Sequence, residues 1–335
     1  MFSTFGDLAT AFNSRGMSAR LKADMARLGQ EVATGVRSDL NTAVSGDFGP
    51  LAGIEHSLKA LESFKIANVE AAAFASAAQS SLDAIQTQSQ DLTKSIIGAT
   101  GSKNKVMMRT VAEDARQTFL STVSQLNTTV MGRSLFAGAA TDQPALASGE
   151  DILAAIQTDI AAETNAAGIS ARIDAWFDDP AGGFATMGYM GADQPMGPVR
   201  LGNGETGNMR LRADSQEIKD TLKAMAKSAV IANGTLSASL DQQTALFEAS
   251  MNGFLAANDD LVGARAEIGT LEQRIEDATT RNEAEKTALE ISRNGLIAVD
   301  PYQTATELKA IYGQLESLYT VTAHLSKLNF TDYMR

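Results

Sequence analysis

Cysteine is absent from the 335 residues, which excludes a disulfide framework and every thiolate metal site and leaves the compartment open. Proline is nearly as scarce. The six prolines (Pro50, Pro144, Pro180, Pro195, Pro198 and Pro301) fall at a few places, so long stretches can run as unbroken helix. Aromatics make up 6% of a chain that is 44% apolar; the apolar material is therefore mostly Ala, Leu, Ile, Val and Met, a mixture that suits long helices. No stretch approaches the roughly 18 consecutive apolar residues of a membrane span, and no membrane partner is expected. Cations are outnumbered by carboxylates, 28 to 40, for a net charge of −12. A surface of that sign repels phosphate backbones, which excludes nucleic acid as a partner at physiological salt. Met1–Ala11 has no basic segment ahead of an apolar core, so a cleaved secretory signal is not expected.

The groups that carry chemistry are equally sparse. There are two histidines, His56 and His324, far apart in the sequence, and a cysteine-free zinc site would need both together with a carboxylate. Asp178 and Asp179 precede Pro180 and two glycines, a turn-forming context rather than a catalytic carboxylate pair. No Gly-x-Ser-x-Gly nucleophile motif occurs. Gly202, Gly204 and Gly207 match the literal spacing of a dinucleotide-binding fingerprint, yet the residues after them read as a strand, whereas a fingerprint must open a helix. The stretch therefore reads as a hairpin, and a nucleotide-dependent enzyme is the remote alternative. No catalytic, cofactor-binding or metal-binding residue is assigned, and no cofactor is expected.

What the chain does have is helical periodicity at both ends. Leu308, Leu315 and Thr322 lie seven apart, and Ile311, Leu318 and Leu325 repeat the interval three residues later, a heptad register that needs a helical partner. Near the start, Phe5, Leu8 and Phe12, then Leu21, Met25, Leu28 and Val32, follow spacings of three and four. Leu8, Phe12, Leu21, Leu28, Val32, Leu308, Ile311, Leu315, Leu318 and Leu325 are accordingly the candidate assembly interface. Isolated helices are marginal because nucleation is costly, so both ends are expected to become helical only against partners. Asp300 ahead of Pro301 reads as a helix start.

Between the ends the pattern goes out and returns. Leu51, Ile54, Leu58, Leu61, Phe64, Phe74, Leu82, Ile85 and Leu92 mark a long amphipathic helix, Gly98–Asn104 a turn, and Val106, Val111, Phe119, Val123, Leu126 and Val130 a helix running back. Ala137–Ala213 holds four prolines, the tryptophan and many glycines, which predicts a separately folded insert in which 199–201 and 208–212 are strands flanking Gly202–Gly207. Helical pattern resumes at Ser215 with Ile218, Leu222, Met225 and Val230, and continues through Leu261, Ile268, Leu271, Ile275 and Ala278. The predicted fold is mainly α: long antiparallel helices with coiled-coil termini and a small inserted α/β or β domain. The predicted divisions are 1–40 with 290–335, 41–136 with 214–289, and 137–213.

Three segments resemble the flagellar hook-filament junction (FlgL) family, which is related to flagellin. Leu28–Arg37 (LGQEVATGVR) is similar to the family's N-terminal pattern, Asn127–Gly138 (NTTVMGRSLFAG) to its LFAG signature, and Asp300–Phe330 to the terminus shared with flagellin. The family's short turn after the first helix is replaced here by a longer, glycine-rich Ser38–Pro50. The resemblance implies a secreted, non-enzymatic structural subunit of the bacterial flagellum that joins hook to filament. It implies as partners the preceding hook-associated protein, flagellin, further copies in a ring, and an export chaperone. A flagellin-type filament subunit is the nearest alternative, against which the LFAG motif argues.

Overall fold

The computed structural model describes residues 3–333, with side chains described for Ala9 and for 12–324. Within that span the chain is mainly helical, with two small antiparallel hairpins. It divides into two units, residues 1–62 with 283–335 and residues 63–282. Helix α1 is Ser3–Thr34, α2 Leu40–Ala43, α3 Gly49–Ser102 and α4 Lys105–Leu126. Strands β1 (Thr129–Val130) and β2 (Arg133–Ser134) follow, then α5 (Gly149–Asp159) and α6 (Ala166–Asp178). After β3 (Val199–Gly202) and β4 (Glu205–Gly207) come α7 (Gln216–Ala229), α8 (Leu240–Ile297) and α9 (Pro301–Tyr333). Helices α3 and α8 contribute to both units.

In the unit 63–282, α3 and α4 form an antiparallel hairpin. The join is tighter than the Gly98–Asn104 turn expected from composition. Helix α3 continues to Ser102, Lys103 alone takes a left-handed conformation (φ 49°), and the Asn104 side chain accepts from the amides of Val106 and Met107. That cap satisfies two of the free donors at the start of α4. The return helix also ends sooner than its apolar pattern, at Leu126, because Val130 enters β1. Of the residues chosen for its inner face, Val111, Phe119, Val123 and Leu126 are buried, whereas Val106 is exposed.

The core is one buried cluster extending from Ala71 to Ala278. Helix α7 lies at its centre, with Ile218, Leu222 and Met225 buried. Ser228 donates to Ser250 (2.7 Å) and Ser250 to the Ala224 carbonyl (2.6 Å), so α7 and α8 meet through small side chains whose hydroxyls are mutually satisfied. The turn-rich stretch 137–213 supplies Leu146, Ile152, Ile169, Ile173 and Trp176 to the same cluster. Trp176 meets Phe177 edge-on at 4.8 Å, and Phe184 lies 5.2 Å from Phe177. Composition separates this stretch from its flanks, and the buried cluster joins them: the Ala213 amide donates to the Phe136 carbonyl (2.9 Å) at its base.

The second hairpin is displaced from its expected position. Strand β4 is Glu205–Gly207 and not 208–212, and the turn is Asn203–Gly204 instead of the whole of Gly202–Gly207. Gly204 has φ +76°, the conformation that glycine adopts at no steric cost, and this allows the chain to reverse in two residues.

Candidate assembly interface

The first unit is built around α1 and α9. Helix α1 ends where Gly35 turns left-handed (φ +72°), and the next residues pair with the break between α8 and α9. The Arg37 amide donates to the Ile297 carbonyl (2.9 Å) and the Val299 amide to the Gly35 carbonyl (3.1 Å), with Val36 opposite Ala298. Asp300 then starts α9 as its spacing ahead of Pro301 predicts. Its carboxylate accepts from the amides of Tyr302 (2.9 Å) and Gln303 (3.1 Å). From this strap the two helices run side by side in opposite directions. Further along, the Lys22 ammonium lies 5.9 Å from the centre of the Tyr319 ring, within the range of a cation–π contact.

The structure brings the sequence-predicted residues together unevenly. Leu21 and Leu28 are buried, and Leu308, Ile311, Leu315 and Leu318 are half-buried. Val32 is exposed and Phe12 is 78% exposed, so neither belongs to the seam within one chain. Leu8 and Leu325 lie outside the described side chains. Within the described residues α1 and α9 are helical and paired with each other in a single chain. The strap supplies the reason, because it places the end of one helix beside the start of the other and so removes much of the search that makes isolated helices marginal.

Two polar members of this seam were not anticipated. Glu31 is buried and accepts from the Ser38 amide (2.9 Å) and the Arg27 guanidinium (3.3 Å), which anchors the turn after α1. Thr304 is buried and donates to the Asp300 carbonyl (2.8 Å). A row of tyrosines was also missed. Tyr312 and Tyr319, seven residues apart and half exposed, share one side of α9 beside its leucine stripe, and Tyr302, 85% exposed, stands on another side. The seven-residue spacing of Tyr312 and Tyr319 was the available signal.

The remaining candidates resolve into structural roles. Gly202 and Gly207 lie in the strands of a hairpin held from both sides: the Leu201 carbonyl accepts from Asn68 (3.1 Å) and Asn282 (2.7 Å), and the Thr206 carbonyl accepts from Arg274 (3.1 Å). No helix opens after it to receive a phosphate. Asp178 accepts from Lys223 (2.6 Å) and Asp179 accepts from the Ala181 amide (2.8 Å). His56 and His324 are exposed, and no group of three or more potential metal ligands forms among the described residues. No helix among the described residues is long and apolar enough to cross a membrane.

The Asn127–Gly138 segment closes the core of the second unit. Asn127 donates to the Leu146 carbonyl (2.9 Å) and accepts from the Leu146 amide (2.8 Å), replacing a strand partner with one side chain. Leu135, Phe136 and Ala137 are buried behind it. At Gly138 (φ +63°) a Cβ would sit 2.5 Å from the Gln194 carbonyl oxygen, so this position excludes any side chain.

Most of α8 and all of α9 lie in the part of the chain that a known family matches. Residues 253–334 match the bacterial flagellin C-terminal helical region. This flagellin-type segment contains both the leucine stripe and the tyrosine row of α9. Comparison with curated proteins gives no match. Among solved structures, the chain is similar to the Bacillus cereus FlgL crystal structure at 13% identity and a TM-score of 0.49, covering 71% of this chain and 96% of that one. A putative flagellar hook-associated protein from Vibrio parahaemolyticus gives 14% identity and a TM-score of 0.47, covering 73% and 95%.

Proposed function

We propose that the chain is a structural subunit of the bacterial flagellum, a hook-associated junction protein connecting the hook to the flagellin filament, with no catalytic role. The observation that carries this reading is the position of the flagellin-type segment, 253–334. It contains the helix that is half covered by α1 and still presents Tyr302, Tyr312 and Tyr319 to solvent. Exposed aromatic side chains left open on a paired helix are surface for another subunit. Burying a single Leu or Phe side chain contributes roughly 1.5–3 kcal/mol, so a few such residues per copy support a stable joint. The partners on this reading are the preceding hook-associated protein, flagellin and further copies of the chain in a ring. Delivery is through the flagellar export apparatus, with an export chaperone guarding the exposed helix before assembly.

Electron microscopy of a strain lacking the chain tests the proposal. Completed hooks without filaments are expected, with filaments returning when the chain is supplied again. Filaments still attached in the deletion strain would overturn it. A second reading, a filament subunit proper, draws on the same match, since the family is flagellin itself. Purified chain that polymerises alone into long filaments would favour that reading.

A further inference from the structure

Asparagine followed by glycine occurs four times in the chain, at Asn203, Asn233, Asn252 and Asn294. This pair is the least hindered setting for one intramolecular reaction, because glycine puts no Cβ beside its own amide nitrogen. That nitrogen can attack the carbonyl carbon of the asparagine side chain and close a five-membered ring, a step driven by proximity that needs no external nucleophile. All four asparagines are exposed. Solvent access therefore does not separate them, and the state of the peptide that follows each one does.

Asn252 and Asn294 lie inside α8, where the amides of Gly253 and Gly295 are engaged in helical hydrogen bonds. Asn233 ends a short 3-10 turn (Val230–Asn233), and the Gly234 amide donates to the Ile231 carbonyl (3.1 Å). At these three positions the peptide must give up a hydrogen bond before it can rotate toward the side chain. The turn between β3 and β4 imposes no such cost. Neither the Asn203 carbonyl nor the Gly204 amide has a hydrogen-bond partner among the described residues, and nothing lies within 4 Å of the position that a Cβ on Gly204 would take.

We propose that Asn203 is a site of spontaneous deamidation in the folded chain. The Gly204 amide nitrogen gives up its proton to hydroxide and bonds to Cγ of Asn203; the bond from Cγ to Nδ2 breaks, and ammonia leaves. Water then opens the succinimide ring at either of its carbonyls, giving aspartate or isoaspartate. One amide and one water are consumed, one carboxylic acid and one ammonia are produced, and no oxidant or cofactor takes part. Isoaspartate routes the main chain through the former side chain, which lengthens the turn and breaks the pairing of Gly202 with Glu205. Glu205 is the residue that binds Arg281 of α8, so conversion loosens that ion pair. The Leu201 carbonyl, held by Asn68 and Asn282, keeps its place. The amide is not regenerated, and the converted fraction therefore records how long a copy has been folded.

Peptide mapping by mass spectrometry of the full chain, held in mildly alkaline buffer, reads all four sites in one sample. Asn203 should convert at least about tenfold faster than Asn233, Asn252 and Asn294, and fragmentation by electron transfer should show isoaspartate beside aspartate at position 203. In urea, where the fold no longer distinguishes them, the rates should lie within about threefold of one another. Gly204→Asn keeps the left-handed conformation within reach but places a side chain beside the attacking nitrogen, and should slow conversion at Asn203 about tenfold while leaving the other positions unchanged. Equal rates at every site in the folded chain overturn the proposal. So does an Asn203 that stays an amide when folded and converts only in urea, and so does undiminished conversion in Gly204→Asn.

Discussion

Single side chains decide how the turn-rich segment is held. Asn127 satisfies both backbone groups of Leu146, which is itself buried. Asn127→Ala should therefore leave an amide and a carbonyl unpaired and cost about 1–3 kcal/mol, read as a lower midpoint in urea with an unchanged slope. Glu217, in the first turn of α7, makes the opposite case. Burial pushes its carboxyl above the usual range, and the charges of Glu267, Asp260 and Asp220 add to the effect. The folded chain thus holds this proton more tightly than the unfolded chain, and stability from this group is present at low pH and lost as pH rises through the folded value. Glu217→Gln should stabilise the fold at neutral pH by on the order of 0.5 kcal/mol, read as a higher melting temperature; the gain is small since solvent screens a half-exposed carboxylate. The gain should vanish once the medium is acid enough to protonate the native side chain. An unchanged difference across that range would show that the charge is not the cause.

At the scale of elements, α9 is where the interface predictions concentrate. Leu315→Asp with Leu318→Asp places two charges on the side of α9 that faces α1, and should abolish filament attachment. The residues named as core belong to the other unit, so its thermal transition should remain within about 1 kcal/mol of the parent. A collapse of both transitions would show that the terminal pair props up the rest. Much of this element was legible beforehand. The Asp300–Pro301 start, the leucine stripe and the inner faces of α4, α7 and α8 follow from spacing alone, because a helix repeats its contacts every three to four residues. The seven-residue step of Tyr312 and Tyr319 was legible in the same way, whereas Tyr302, ten residues before Tyr312, falls on another side of α9 and follows no repeat. The hairpin register at Gly204 was also hidden, because several glycines in succession offer more than one place to turn. Glu31 and Thr304 were missed for another reason: polar residues in a seam are found through partners distant in the chain or on its backbone.

For the molecule as a whole, the shared core of 63–282 sets the outcome of truncation. Replacing 137–213 by a short linker removes Leu146, Ile152, Ile169 and Trp176 from one buried cluster and should uncover Phe136 and Met225. Loss of helical circular dichroism beyond the deleted helices, with a broadened melting transition, is expected. Retention of a sharp transition would mark the segment as a lobe that folds by itself. The strap between Gly35–Arg37 and Ile297–Val299 has a different consequence. By fixing two points some 260 residues apart in sequence, it presents α9 to α1 at an effective concentration that short tethers bring to about the millimolar range. A neighbouring copy offering its own α1 must compete against a helix that is already there. Exchange of terminal helices between copies is thereby suppressed, and subunits are left to recognise each other through the faces that the pair leaves uncovered.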